Sequence, residues 1–266
     1  MNSIKEYVAK QKQLLKEEIE KNNLKPVLAI VQVGNDPASN SYVKGKLKDC
    51  EELGIKGNHI KLEENAKQYA IERKITELSY YDIVDGIIVQ LPLPKHLTFN
   101  SSYIDEEKDV DGFRYDSPYT PCTPLGIKMY LQDRGVDFDG KNVVIIGRSD
   151  IVGKPMAKLM LDANATVTVC HSHTRDVSMY TKMADIIIVA VGKRNFLTRD
   201  MIGTNKPIVI DVGINRNEEG KLCGDCDYAN LVDVCDYVSP VPNGVGLLTR
   251  LALMMNVVEA SKMRGK

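Results

Sequence analysis

Short apolar runs alternate with longer amphipathic stretches along nearly the whole chain. In its first half, β-branched runs predict strands at residues 27–33, 59–62 and 85–91. Apolar positions at helical spacing predict helices at residues 1–21, 39–53 and 66–78. This alternation is typical of parallel sheets with helices on their faces, so the pattern favours the α/β class.

A proline-rich passage at residues 116–126 interrupts the alternation and is the predicted domain boundary. Immediately after it we expect a helix with Thr123 as its N-cap and Pro124 at its first position. A second series follows, with strands predicted at residues 142–147, 166–171, 185–192, 207–214 and 237–241, a helix at 152–164 and a closing helix from about 246. This order predicts a Rossmann-like, doubly wound parallel sheet.

Composition and charge narrow the class of partner. The 266 residues carry a formal net charge of −1, so nothing favours a nucleic-acid or membrane surface, and small molecules are the expected partners. The longest apolar runs reach about nine residues, which is too short to cross a bilayer. Because the N-terminus is too charged for a signal peptide, we expect a cytoplasmic protein.

The six cysteines are expected to be reduced thiols. Cys223 and Cys226 form a C-x-x-C pair and Cys235 follows nine residues later, but no fourth zinc ligand is evident. We therefore expect small apolar fillers and no metal. A zinc or redox site remains the alternative.

A glycine-containing turn, "GRSDIVGKP" at residues 147–155, follows the predicted strand 142–147. Gly147 permits a tight turn, and Gly153 lets the next helix begin close to a pyrophosphate. The spacing is not G-x-G-x-x-G, so an ordinary strand-to-helix turn remains the alternative.

The next predicted strand ends in "HSHT" at residues 171–174, where an NAD site usually has an acidic residue. Without a carboxylate nothing repels a 2′-phosphate, and Arg148 and Ser172 are candidates to bind it. This favours NADP over NAD. In the alternative, Arg148 is a solvated loop charge and His171 and His173 are surface residues, and for His173 we favour that alternative.

Tyr42 and Lys46 are four residues apart on a predicted helix, so they share one face. On spacing alone, Lys46 is more simply a solvated helix lysine. Other segments change this interpretation. They read, in chain order, "VGNDPASNSYVKGK" (33–46), "DGIIVQLPLP" (85–94), "KDVDGF" (108–113), "PCTPLG" (121–126), "GRSDIVGKP" (147–155), "CHSHT" (170–174), "DVGIN" (211–215) and "PNGVGLLT" (242–249).

These eight segments, in their order and spacing, resemble the bifunctional methylenetetrahydrofolate dehydrogenase/methenyltetrahydrofolate cyclohydrolase family over nearly the whole chain. The resemblance implies a catalytic group of Lys46, Gln90, Tyr42 and Asp111. It implies folate contacts at Tyr42, Leu91, Pro92, Asp111 and Gly244. It implies NADP contacts at Gly147, Arg148, Ser149, Val152, Gly153, Ser172, Gly192 and Ile214.

The same resemblance implies two reactions. Methylenetetrahydrofolate would lose a hydride to NADP, and water would then add to the methenyl cation to give formyltetrahydrofolate. Lys46 can serve as the base only if its amine is neutral near pH 7, which burial beside the cationic substrate favours. Gln90 would orient the amine without adding a counter-charge, Tyr42 offers a flat ring an aromatic face, and Asp111 accepts bonds from pterin N–H donors.

The implied architecture has two domains with a cleft between them. Residues 1–120 would form the folate-binding catalytic domain, with helix 247–266 packed back on it, and residues 121–246 the Rossmann-like NADP-binding domain. The resemblance also implies a homodimer. Rival hypotheses are a dehydrogenase of another small acid and a nucleotide-sensing or zinc-binding non-enzyme.

Several positions depart from the family pattern. Asn243 and Leu247 replace a glycine and a proline, "GKRNFLT" at residues 192–198 lacks a Pro-Gly pair, and His173 stands where a basic residue is common. These changes make folate contacts near Gly244 less certain and weaken the NADP argument.

Overall fold

The computed structural model describes residues 3–265, which divide into two compact units. The first unit comprises residues 9–122 and 250–265, and the second comprises residues 3–8 and 123–249. Met1, Asn2 and Lys266, which the predicted terminal helices include, lie outside the described residues. No helix within residues 3–265 is both long and apolar enough to span a membrane.

The first unit is built on a three-stranded parallel sheet. Its elements are α1 (Ile4–Lys21, of which residues 4–8 belong to the second unit), β1 (Val27–Val33), α2 (Pro37–Leu53), β2 (Lys56–Leu62), α3 (Gln68–Tyr80) and β3 (Gly86–Val89). One-turn 3₁₀ helices follow at Ser101–Tyr103 and Glu106–Lys108. In the strand order β2-β1-β3, the chain places β2 on one side of β1 and then β3 on the other side. This reversal opens a crevice at the carboxyl ends of β1 and β3.

The second unit is built on a five-stranded parallel sheet. Its elements are α4 (Cys122–Asp133, of which Cys122 belongs to the first unit), β4 (Asn142–Ile146), α5 (Gly153–Leu161), β5 (Thr166–Cys170), α6 (Ser178–Thr181), β6 (Ile186–Val189), β7 (Ile208–Asp211), β8 (Asn215–Arg216), β9 (Leu222–Cys223), α7 (Tyr228–Leu231), β10 (Tyr237–Val238) and α8 (Val245–Arg264, from residue 250 in the first unit). A 3₁₀ turn spans Arg199–Met201. The order β10-β7-β6-β4-β5 places the reversal between β4 and β6.

Burial along the central strands explains their apolar sequences. In β4, Val143 and Ile145 pack into one core and Val144 and Ile146 into another, because successive side chains point to opposite faces. β6 divides in the same way. A sheet covered on both faces requires continuous apolar runs, and this confirms the predicted α/β class with parallel sheets.

Local signals fix the position of α2. Asp36 caps the helix by accepting a hydrogen bond from the Ser39 backbone N–H at 2.7 Å, and Pro37 occupies its first turn. Gly54 ends the helix at a positive φ of 75°. Tyr42 and Lys46 therefore lie on successive turns of a well-defined helix.

The start of α4 corrects one prediction. The helix begins at Cys122, so Thr123 is not its N-cap and lies inside the first turn. Its hydroxyl instead pairs with the Thr249 hydroxyl at 2.9 Å, a partner far away in sequence. Pro124 is still tolerated, because the first turn of a helix needs no N–H donor.

Candidate functional site

Lys46 and Gln90 form a direct pair in the first unit. The Lys46 Nζ donates to Gln90 Oε1 at 3.1 Å, linking α2 to the residue that follows β3. Gln90 is buried, and its own Nε2 donates to the Leu91 carbonyl oxygen at 2.7 Å. The second bond orients the amide so that its oxygen faces Lys46. Because the amide is neutral, it places no counter-charge beside the amine.

Tyr42 lies one helical turn before Lys46 and is half-buried. Burial raises the pKa of its phenol, while the positive charge of Arg250 opposes the rise. The phenol is thus neutral near pH 7, and it can present an aromatic face and a hydroxyl donor.

Asp111 is the second carboxyl-bearing residue of "KDVDG", and its environment resists ionisation. Burial raises its pKa, while the charge of Lys46 and a hydrogen bond from Cys122 act in the opposite direction. The Cys122 thiol is itself buried, and its pKa lies well above the ordinary value. A ligand that brings N–H donors to Asp111 would favour the carboxylate.

Asp109, the first aspartate of the same segment, holds the loop that carries Asp111. It is completely buried, and its Oδ2 accepts the Arg114 backbone N–H at 2.7 Å. Its carbonyl oxygen accepts bonds from the Ser117 hydroxyl at 3.0 Å and the Gly112 N–H at 2.9 Å. Asp109 is not among the predicted site residues, although it lies inside the segment "KDVDGF".

Burial raises the pKa of Asp109 to about 6. Since this pKa exceeds that of the unfolded chain, the native state keeps its proton while the unfolded state releases it, and stability falls as pH rises between about 4 and 7. Asp109→Asn removes this titration. From pH 4 to pH 7, the variant should therefore gain up to about 3 kcal/mol in free energy of unfolding relative to wild type.

Urea unfolding of both proteins from pH 4 to pH 7 measures this difference. Asp82→Asn is the control, because Asp82 is an exposed aspartate of the same unit. A pH-independent difference for Asp109→Asn would contradict the protonated state. The buried Asp109 Oδ1 has no hydrogen-bond partner among the described residues, so ionisation would leave charge on this oxygen without compensation.

The remaining predicted folate contacts fall in both units. Leu91 is half-buried and Pro92 is exposed, and the peptide bond between them is cis. Gly244 belongs to the second unit, where a side chain would overlap the Pro240 carbonyl oxygen. The structure thus brings Lys46, Gln90, Leu91 and Asp111 together, with Tyr42 on the adjacent turn.

The turn between β4 and α5 has the close packing that a phosphate site requires. Gly147 adopts a φ of +126°, and a side chain there would overlap the Ala190 carbonyl oxygen after β6. A side chain at Gly153 would overlap the Gly147 carbonyl oxygen. Both positions therefore require glycine, and the N-terminus of α5 begins directly at this turn.

Ser149 stabilises that turn. Its hydroxyl accepts the backbone N–H groups of Val152 and Gly153 at 3.3 and 3.4 Å. Arg148 and Ser149 are exposed, and Val152 is half-buried. The residues present fit a dinucleotide, because small residues and helix N–H donors meet at the carboxyl ends of β4 and β6.

The other predicted cofactor contacts lie on the loops that follow the neighbouring strands. After β5, the His171 backbone N–H donates to the Thr174 hydroxyl at 2.9 Å and the His173 N–H to His171 Nδ1 at 3.2 Å, while the Ser172 side chain is exposed. Gly192 follows β6 at a φ of +65°. Ile214 follows β7 and is half exposed.

The cysteines of the C-x-x-C pair have different surroundings. Cys223 is half-buried in β9, whereas Cys226 packs into the second unit's core. Burial and the neighbouring Asp211 raise the pKa of the Cys226 thiol. Within residues 3–265, no group of three or more His, Cys, Asp or Glu side chains is arranged to hold a metal ion.

Comparison with known proteins gives consistent matches along the chain. A family model described as the catalytic domain of tetrahydrofolate dehydrogenase/cyclohydrolase matches residues 2–111. The model of the NAD(P)-binding domain of the same family matches residues 121–265. Bifunctional protein FolD of Bacillus anthracis is 46% identical, over 98% of this chain and 96% of the relative.

Two solved structures give the same result. The bifunctional FolD enzyme of Campylobacter jejuni superposes with a TM-score of 0.93 at 44% identity, over 97% of this chain and 96% of that one. The Trypanosoma brucei dehydrogenase-cyclohydrolase, complexed with NADP and an inhibitor, gives 0.91 at 30% identity over 98% and 96%.

Proposed function

The chain belongs to the tetrahydrofolate dehydrogenase/cyclohydrolase family, and from this premise we propose its reactions. It oxidises 5,10-methylenetetrahydrofolate to the 5,10-methenyl form with NADP, and it hydrolyses that form to 10-formyltetrahydrofolate. The observation that carries the proposal is the bond between Lys46 Nζ and Gln90 Oε1 at the carboxyl ends of the first unit's strands. A buried neutral amide beside an amine suits a base that acts on a cationic substrate.

The second unit supplies the cofactor site. Gly147 and Gly153 let the backbone of this turn pack closely, and the turn leads directly into the N-terminus of α5, where the pyrophosphate would bind. Arg148 and Ser172 bind the 2′-phosphate, and Ser149, Val152, Gly192 and Ile214 complete the site. NADP, when bound, supplies the hydride acceptor for the first reaction.

The first unit supplies the folate site. Tyr42 stacks on the flat part of the substrate, Asp111 accepts bonds from pterin N–H donors, and Leu91 and Pro92 form an apolar wall. In the hydrolysis, the Lys46 amine takes a proton from the water that adds to the methenyl carbon. Gln90 holds the amine in place, which is a contribution of geometry.

We further propose that residues 1–120, with helix 247–266, act as the catalytic domain and residues 121–246 as the NADP-binding domain. The enzyme would work in the cytoplasm and supply formyl groups for purine biosynthesis. A purine requirement in a deletion strain, relieved by the expressed enzyme, would support the metabolic role. Recovery of the protein outside the cytoplasmic fraction would contradict the location.

A homodimer through the second unit is supported by the open edge of its sheet. β5 is an edge strand, and Val169 on it is 36% exposed. Exposed strand edges are ready to pair with another strand. We expect sedimentation velocity to give a dimer for wild type and a monomer for Val169→Lys, while a monomeric wild type would contradict the proposal.

One assay tests the two reactions. Purified enzyme receives methylenetetrahydrofolate and NADP, and the absorbances of NADPH and of the methenyl product are followed separately. We expect NADPH to form, and added methenyl substrate to disappear without NADP. Binding of NADP without turnover would favour a nucleotide-sensing protein, and turnover of only another small acid would favour a different dehydrogenase.

A further inference from the structure

Asp225 is a completely buried carboxylate in the second unit, in the loop between β9 and α7. Its Oδ2 accepts the backbone N–H groups of Val191 and Gly192 at 2.7 and 3.0 Å. Its Oδ1 accepts the Lys193 N–H and the Asn215 Nδ2 donor, both at 2.8 Å. Three consecutive backbone donors thus converge on one side chain.

The hydrogen-bond donors around Asp225 offset the cost of burying its side chain. Hydrogen bonds to an ionised acceptor are roughly twice as strong as those between neutral groups. The segment 191–193 is therefore held by several strong bonds to one residue that lies more than 30 positions later in sequence.

A second buried carboxylate fixes Asp225 itself. Asp211, at the end of β7, accepts the Asp225 N–H at 2.9 Å and the Cys226 N–H at 2.9 Å. Side chains at Gly213 and Gly224 would overlap the carboxylates of Asp225 and Asp211 respectively. The two glycines and two aspartates form a rigid connection from β7 to the loop after β6.

That loop borders the nucleotide crevice. It follows β6, whose neighbour is β4, and the Ala190 carbonyl oxygen just before it packs against Gly147. In doubly wound sheets, nucleotides bind outside the carboxyl ends of the strands at the reversal of strand order. We propose that Asp225 is a positioning residue for NADP, which it serves by holding Val191, Gly192 and Lys193 in the receptive conformation. This inference rests on the proposed cofactor site.

The test is Asp225→Asn in the full chain. Asparagine keeps the size of the side chain but replaces one oxygen by an NH₂ group. The two hydrogen-bond donors that face the replaced oxygen then lose their acceptor. We expect the Kd for NADP, measured by titration, and the KM for NADP to rise at least about 10-fold. Hydrolysis of added methenyl substrate needs no hydride acceptor, and its kcat and KM should stay within about two-fold of wild type.

The matched control is Asp185→Asn. Asp185 accepts the Asn142 backbone N–H at 2.8 Å at the amino ends of β4 and β6, the opposite edge of the same sheet. We expect a smaller loss of Tm and no change in NADP affinity for this variant. If Asp225→Asn does not fold, Asn215→Ala, which removes one donor and keeps the carboxylate, should still weaken NADP binding about three-fold or more.

The results of these experiments test the role of Asp225 and the proposed function separately. Unchanged NADP affinity in the folded variant, or equal losses of NADP binding and hydrolysis, would overturn the positioning role. Wild-type affinity in Asn215→Ala would overturn it if Asp225→Asn is unfolded. A wild-type protein that fails to bind NADP would instead overturn the proposed cofactor and with it the function.

Discussion

Lys46→Met is expected to reduce the kcat for hydrolysis of 5,10-methenyltetrahydrofolate by at least about 100-fold, since a positioned general base contributes about 10²–10⁴-fold. Methionine keeps the length and apolar character of the chain but removes the amine that donates to Gln90 Oε1 at 3.1 Å. Substrate binding, which we assign mainly to Tyr42 and Asp111, should change by less than about 10-fold.

Single-turnover absorbance measurements of methenyl decay, compared with the rate in buffer alone, provide the readout. Lys44→Met is the matched control, because Lys44 lies on the same helix and is exposed. It should hydrolyse the substrate at the wild-type rate. Hydrolysis at the wild-type rate in Lys46→Met would rule out Lys46 as the base, and a large rise in KM alone would assign it to binding.

Arg148→Ala is expected to raise the KM for NADP at least about 10-fold while leaving the KM for NAD nearly unchanged. A charge-assisted bond to a phosphate contributes about 1.5–3 kcal/mol, and tenfold corresponds to about 1.4 kcal/mol. NAD lacks the 2′-phosphate, so the loss of Arg148 should not affect it.

Initial rates of NADPH and NADH formation, measured over a range of each cofactor, test this selectivity. Arg199→Ala is the control, because Arg199 is an exposed arginine of the same unit on a one-turn helix. Equal increases for both cofactors would contradict the phosphate role of Arg148. The ion pair should also weaken at high salt, so the NADP preference of wild type should fall as ionic strength rises.

Strong local patterns account for the parts of the fold that were predicted well. β1 spans Val27–Val33 as predicted, because its run of β-branched and apolar residues is typical of a strand buried on both faces. The two-residue strands Asn215–Arg216 and Leu222–Cys223 were missed, since so short a pair has no periodicity to detect. The start of α4 was misplaced because the Thr123 hydroxyl bonds to Thr249 and not to its own helix.

The sequence predicts some residues of the candidate site and does not predict others. The family-like segments predict a site with Tyr42, Lys46, Gln90 and Asp111, and the structure places Lys46 in contact with Gln90, 44 positions away in sequence. Asp225 is not among the predicted site residues, because its segment "GDCD" stands out in the sequence only by its cysteine. The signal that could have found it is an aspartate after glycine in a segment that follows "DVGIN".

The sequence alone determined the alternation of strands and helices, the two parallel sheets and the family, because periodicity and ordered segments are properties of the chain itself. Only the tertiary structure decided which carboxyls are buried and which donors they accept. Burial and charge depend on groups brought together from distant positions, as Asp109 and Asp225 demonstrate. Those surroundings set protonation and loop position, and hence the chemistry that each residue can perform.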